Sequence, residues 1–161
     1  MKFIRKVALF SITAFFLSVV TSCMGGNSNI KNVSLSTNEV YNKGVSEVEL
    51  PMVQEIGSSE IKSLFGLSES DYSEATVNIS MMNVKATEIG IFKFENKEQE
   101  DAITKGIDKR VKDLDSTWSK YLPDQYELVK DVKKFTYGNV KGYVIADDAD
   151  KIVSNIEKSI K

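Results

Sequence analysis

The most reactive side chain in this sequence is that of Cys23, the only cysteine among 161 residues. It ends the run Val20-Thr21-Ser22-Cys23, which closes an apolar N-terminal stretch. A thiolate is a strong nucleophile, and a lone cysteine in an exported chain has no disulfide partner within that chain. The position and the solitude of Cys23 together predict that its sulfur is covalently modified.

The N-terminal stretch has the composition of a secretory signal peptide. Three basic residues lie among the first six, and residues 7–20 are apolar except for two serines and one threonine. These fourteen residues are fewer than the roughly 20 that a membrane-spanning helix needs. We therefore expect residues 1–22 to be a cleaved signal peptide and not a retained transmembrane helix.

Residues 20–23 resemble the lipobox of bacterial lipoproteins, in which a branched apolar residue and two small residues precede a lipid-modified cysteine. The resemblance implies a diacylglycerol thioether on Cys23, and therefore a lipid anchor in the cell membrane at its extracytoplasmic face. Two acyl chains anchor a protein stably, whereas a single chain binds a membrane only marginally. Residues 23–37 are rich in Gly, Asn and Ser and predict a flexible tether.

Composition excludes several classes of function. Without residues 1–22 the chain has 139 residues with 18 basic and 23 acidic side chains, a net charge of −5, which argues against a nucleic-acid partner. The sequence has no histidine, so it lacks the usual neutral-pH base and the commonest zinc ligand. It also contains no Walker loop and no dinucleotide-binding glycine motif. We expect no cofactor and no metal.

Carboxylates are the remaining candidates for catalysis. Glu88 lies in an otherwise apolar segment, and aspartates are dense in residues 108–115 and 147–150. Two of these groups could form the acid pair of a glycosidase, or several could bind calcium. A solvated helix face and a helix N-cap explain the aspartates better. A non-enzymatic binding or assembly module, with an envelope protein as its partner, is the favoured function; the alternative is a cell-envelope hydrolase.

A second candidate site is a cluster of amphipathic residues at a predicted helix break: Tyr121, Pro123, Gln125 and Tyr126. Tyrosine presents apolar area with a polar tip, so this cluster could be a patch that recognises a partner protein. The same residues could instead pack against the sheet and shape the turn.

Hydrophobic periodicity predicts strands at residues 75–82, 87–94, 131–137 and 140–146. In the first of these, Ala75, Val77, Ile79 and Met81 share one face. A long helix follows Asn96, with an apolar stripe at Ile103, Ile107, Val111, Leu114 and Trp118. A last helix follows Asp147 or Asp148, either of which could cap it, and shorter helices precede the first strand and follow Pro123. Residues 38–161 therefore predict a single α+β domain: a four-stranded, mainly antiparallel sheet in ββαββα order with two longer helices packed on it.

Aromatic residues fall on more than one face of this sheet: Phe92, Phe94, Phe135, Tyr137 and Tyr143. Two helices on one side could not cover them all. Either the N-terminal helices cover the second face, or an apolar face is exposed and binds a partner. The strand at 87–94, apolar on both faces, favours coverage.

Three segments of the chain resemble a family of bacterial lipoprotein domains known as domain of unknown function 4358. They are residues 86–92 (ATEIGIF), 121–126 (YLPDQY) and 142–144 (GYV), the last leading into Asp147 and Asp148. The middle segment is the most specific of the three. The resemblance extends over residues 38–161 and implies a surface lipoprotein of a Gram-positive bacterium. It implies no particular activity and brings no catalytic residues.

Overall fold

Five antiparallel strands form one sheet in the structure, a computed structural model that describes residues 30–161. The strands are β1 (Val53–Glu55), β2 (Glu74–Ser80), β3 (Glu88–Lys93), β4 (Lys133–Tyr137) and β5 (Val140–Ile145). Their order across the sheet is β1-β2-β3-β5-β4. The α+β class and the strands β2 to β5 agree with the sequence prediction.

The predicted count of four strands was wrong, because β1 adds a fifth at one edge. This strand has only three residues, with Val53 opposite Ser80 and Gln54 opposite Ile79. Three residues are too few to show the alternation from which strands are recognised. Backbone pairing with β2, and not a hydrophobic pattern, therefore makes this segment a strand.

Five α-helices lie within the described residues: α1 (Thr37–Gly44), α2 (Ser58–Phe65), α3 (Lys97–Trp118), α4 (Pro123–Lys130) and α5 (Ala149–Ile160). The long helix α3 begins as expected, with the Asn96 side chain accepting a hydrogen bond of 2.9 Å from the backbone N–H of Gln99. It ends before Pro123, which is the first residue of α4.

The helices cover both faces of the sheet. Helices α2, α3 and α4 pack on one face, here called the α3 face, where Phe92 and Phe94 are buried. Helices α1 and α5 pack on the other, the α5 face, where Ile89 and Ile91 are buried. The last helix thus joins the N-terminal helix in covering the second face. This arrangement explains why β3 is apolar on both sides.

The chain enters the domain at one end of the sheet, beside the two-residue turn Gly138-Asn139 between β4 and β5. The backbone N–H of Asn139 donates to the carbonyl of Lys31 (3.0 Å), and its side-chain Oδ1 accepts from the N–H of Val33 (2.7 Å). Val33 is buried against the α5 face. The last part of the predicted tether, from residue 30 onward, therefore packs on the domain. We call this end of the sheet the hairpin end, and the opposite end, with the β2–β3 connection, the loop end.

Gly90 gives a test of how closely the α3 face is packed. A Cβ at Gly90 would overlap Cε1 of Tyr143 and lie 3.1 Å from its Cζ, and Tyr143 is fully buried. We expect Gly90→Ala to lower the free energy of unfolding by about 1–3 kcal/mol, because the ring cannot move aside. Urea denaturation followed by circular dichroism measures the change.

Gly57→Ala is the matched control, since a Cβ there meets only the flexible carboxylate of Glu60, at 3.3 Å. We expect it to cost less than about 1 kcal/mol, the ordinary difference between Gly and Ala at a helix N-cap. Equal losses in the two variants would show that the ring of Tyr143 does not confine this position.

Candidate functional site

Cys23, the predicted lipid-attachment residue, lies outside the described residues. Its modification remains a prediction. The structure locates only the point at which the chain from Cys23 reaches the domain, at the hairpin end beside Asn139.

The four residues of the predicted partner patch have separate roles in the structure. The Gln125 side chain accepts a hydrogen bond of 3.0 Å from the backbone N–H of Ala86 and so links α4 to the β2–β3 connection. The Tyr126 hydroxyl donates to Asp115 at 2.9 Å. Pro123 begins α4, after a residue with a positive φ of 47° at Leu122. Pro123, Gln125 and Tyr126 thus have structural roles around the break between α3 and α4.

Tyr121 is the exposed aromatic member of this patch. Tyr121 is 49 % exposed, and its ring packs at a tilt against the ring of Trp118, with the ring centroids 6.0 Å apart. The cluster YLPDQY therefore shapes the break between α3 and α4 and exposes one aromatic ring beside it.

The best-organised polar cluster of the described chain is an ion pair between Glu88 and Arg110. Glu88, the first residue of β3, is only 3 % exposed. Arg110 reaches it from the middle of α3, with Nε donating to Oε1 at 2.8 Å and Nη2 donating to Oε2 at 2.6 Å. Such a bidentate pair fixes the orientation of both side chains.

Tyr143 completes this cluster, which we call the Glu88 network. Its hydroxyl donates to the same Oε1 atom that Nε of Arg110 contacts. In the sheet register Tyr143 lies opposite Gly90, not opposite Glu88. The ring therefore crosses over the bare backbone of Gly90 to reach the carboxylate, and a side chain at residue 90 would block that path.

The electrostatics of the Glu88 network favour a fixed charge state. Burial, together with the adjacent negative charge of Glu88, raises the pKa of Tyr143 well above its ordinary value, so the hydroxyl keeps its proton. Burial lowers the pKa of Arg110, but the hydrogen bonds and charge of Glu88 outweigh this effect and raise it overall. The carboxylate thus faces a permanent cation and a permanent hydrogen-bond donor, which suits a structural clamp better than proton transfer.

Three of the candidate aspartates, Asp108, Asp113 and Asp150, form ion pairs with lysines. Asp113 contacts Lys109 at 2.8 Å, and Asp108 contacts Lys134 at 2.7 Å. The N-cap of α5 is Asp148, yet its side chain makes no capping hydrogen bond, in contrast to the predicted cap. Among residues 30–161, no three Asp, Glu, His or Cys side chains come together in a way that could hold a metal ion.

One surface feature was missed by the sequence reasoning. Four large apolar side chains are exposed at the loop end: Met52 (69 %), Met81 (56 %), Met82 (44 %) and Val84 (39 %). The backbone N–H of Met81 donates to the carbonyl of Met52 at 2.9 Å, one residue beyond the last pair of β1 and β2. We call these four residues the methionine ledge.

The sequence contained part of the signal for this ledge. Alternation grouped Met81 with Val77 and Ile79 on the core face of the first strand. In the structure Val77 is buried and Ile79 is partly buried, whereas Met81 is exposed. The apolar row of β2 thus continues past the part of the sheet that is covered within residues 30–161.

Removal of the cation tests the Glu88 network. We expect Arg110→Met to lower the free energy of unfolding by about 3–5 kcal/mol, because it leaves a buried carboxylate without its partner. The control is Lys97→Met, which breaks the surface ion pairs of Lys97 with Glu100 and Asp101 near the start of the same helix. The control should leave the denaturation midpoint unchanged. An Arg110→Met midpoint equal to that of the control would argue against the clamp.

Tyr143→Phe tests the protonation state of the hydroxyl. At neutral pH we expect a loss of about 1.5–3 kcal/mol, the usual worth of a hydrogen bond to a charged group. The folded pKa of Tyr143 is raised, so from about pH 10 upward the unfolded chain loses the phenolic proton while the folded protein retains it. Stability then falls with pH, by up to about 1.4 kcal/mol per pH unit for this one group.

The Phe variant lacks this proton, so its stability should fall less steeply than that of the wild type above pH 10. Urea denaturation at several pH values between 9 and 11 measures both slopes. Parallel slopes would show that the hydroxyl of Tyr143 ionises as readily in the folded protein as in the unfolded chain.

None of the helices within residues 30–161 is both long and apolar enough to cross a membrane.

Neither the curated proteins nor the solved structures include a significant match to this chain. A protein family does match, over residues 46–146, which is more than half of the chain and includes all five strands together with α2, α3 and α4. The matched region also contains Glu88, Arg110 and Tyr143. The chain therefore belongs to the family described as Domain of unknown function (DUF4358).

Proposed function

We propose that this protein is a membrane-anchored extracytoplasmic lipoprotein, held by a diacylglycerol group on Cys23, and that it acts as a non-enzymatic binding or assembly module of the cell envelope. The N-terminal sequence supports the anchor: a basic start, a short apolar stretch and the run Val20-Thr21-Ser22-Cys23. A lipid on Cys23 would also account for a cysteine that has no disulfide partner in the chain.

The observation that carries the proposal is the attachment of the incoming chain to the hairpin end by Asn139. Only residues 23–29 separate the anchor from the first described residue. Seven residues extend to about 25 Å at most. A domain held in this way keeps its hairpin end within about 25 Å of the membrane.

The geometry supports binding better than catalysis. Glu88 is the one buried carboxylate of the described residues, and it is neutralised by Arg110 and hydrogen-bonded by Tyr143. A glycosidase needs two carboxylates about 5–10 Å apart across an open cleft, with at least one free to exchange a proton. The alternative of an envelope hydrolase would have to rely on exposed aspartates, several of which pair with lysines.

Cys23→Ala tests the anchor directly. We expect the wild-type protein to enter the detergent phase of a Triton X-114 extraction and to incorporate labelled palmitate. The variant should lose the label and move to the aqueous phase or remain unprocessed, because it lacks the sulfur that carries the lipid. Met24→Ala, one residue further on, is the control and should behave as wild type. A Cys23→Ala protein with unchanged mass and unchanged partitioning would refute the anchor.

A further inference from the structure

We propose that Met52, Met81 and Met82 form a binding site for Cu(I), a soft monovalent metal ion. Thioether sulfur is a soft ligand and selects Cu(I) over hard cations such as Mg²⁺ and Ca²⁺. The expectation that the protein binds no metal rested on its lack of histidine and did not take thioethers into account. The site belongs to the described domain and does not depend on the proposed anchor at Cys23.

The placement of methionine in this domain does not follow from core packing. Methionine is flexible and ordinarily fills irregular gaps in a hydrophobic core. The two buried clusters of residues 30–161 contain no methionine. The three methionines of this part of the chain are Met52, Met81 and Met82, and all three are exposed. Three thioethers are therefore gathered at the loop end without belonging to either buried cluster.

The register of the sheet brings two of these thioethers together. Val53 pairs with Ser80, and the hydrogen bond from the N–H of Met81 to the carbonyl of Met52 (2.9 Å) continues this register by one residue. Directly opposite residues of an antiparallel pair lie on the same face, with Cβ atoms about 4.5–5.5 Å apart. Metal–sulfur bonds are about 2.3 Å long in zinc sites, so two sulfurs on one ion lie at most about 4.6 Å apart. The flexible side chains of Met52 and Met81 can therefore both reach one ion.

A fixed turn holds the third thioether beside this pair. The Ser80 hydroxyl donates to the carbonyl of Met82 (3.2 Å) and accepts from the N–H of Met82 (3.1 Å). The N–H of Lys85 also donates to the carbonyl of Met82 (3.0 Å). The backbone of Met82 is thus fixed directly after Met81, and its sulfur can complete a site of three thioethers.

The local ligand set favours Cu(I) over the common divalent ions. Zinc binds thiolate, imidazole and carboxylate groups, calcium and magnesium bind oxygen, and Cu(II) prefers nitrogen and oxygen. Residues 80–85 (SMMNVK) contain no carboxylate, and the sequence has no histidine. Because a thioether has no proton to lose, the affinity of this site for Cu(I) should not depend on pH, unlike that of a thiolate or imidazole site.

Nuclear magnetic resonance of ¹³C-labelled methionine methyl groups tests the site with full-length Cys23→Ala protein in detergent. This background removes the only thiol, which would itself bind Cu(I). The probes are Cu(I), added with oxygen excluded, and the soft ion Ag(I). We expect the methyl signals of Met52, Met81 and Met82 to shift and to saturate at one ion per chain. The signal of Met24, which is distant from the ledge in sequence, is the internal control and should not shift.

Competition against a colorimetric Cu(I) chelator measures the affinity of variants in the same background. Even residues that only support a metal ligand contribute about 10- to 100-fold to metal affinity, so Met52→Leu combined with Met81→Leu should lower the affinity at least about a hundredfold. Met82→Leu should lower it about tenfold. Met24→Leu is the matched control and should bind as tightly as the parent. Leucine conserves the volume of methionine, so thermal melting should show all variants folded.

The same competition at pH 5.5 and pH 7.5 should give one affinity, and neither Zn²⁺ nor Cu²⁺ should displace the bound Cu(I). Four outcomes would overturn the proposal: no shift of the ledge methionines, an equal shift of Met24, full binding by the protein with Met52→Leu and Met81→Leu, or an affinity that falls at the lower pH. The first means that no ion binds at the ledge, and the second means that exposed thioethers bind it without a built site. The last two mean that other groups hold the ion.

Discussion

The bidentate ion pair between Glu88 and Arg110 is the constraint on which the packing of the α3 face depends. A buried carboxylate is costly unless it is paired and hydrogen-bonded, and Glu88 is both. The pair ties the middle of α3 to the first residue of β3, because both side chains have one productive orientation. It also explains Gly90, whose missing side chain leaves the path along which Tyr143 reaches the same carboxylate.

The second constraint is that β3 is buried on both sides. The α3 face is covered by helices within the region that matches the DUF4358 family, whereas α1 and α5, which cover the α5 face, lie outside residues 46–146. The matched region is therefore a complete sheet with one covered face. In this chain the N-terminal and C-terminal helices supply the other cover by packing against each other, with Val40 and Ile156 fully buried among them.

The two ends of the sheet differ in chemistry, and this difference supports the proposed function. At the hairpin end the incoming backbone is bound by a buried asparagine, Asn139. At the loop end the sheet ends in exposed methionines. The buried charges of the Glu88 network bind one another within the fold. A domain with one exposed apolar end agrees with the proposed role as an assembly module.

Local patterns in the sequence determined the strands β2 to β5, the start of α3 at Asn96 and the turn at Gly138-Asn139, because each depends on residues close together in the chain. Tertiary structure alone decided the remaining features. Strand β1 is too short to show a pattern, and Arg110 is 22 positions from the carboxylate that it binds. The sequence places Gln125 and Tyr126 in one candidate patch, and only the fold gives their hydrogen-bond partners, Ala86 and Asp115. The alternation in β2 grouped Met81 with Val77 and Ile79, but only the placement of the helices decided that Met81 would be left uncovered within residues 30–161, because burial depends on what packs above a residue and not on the residue itself.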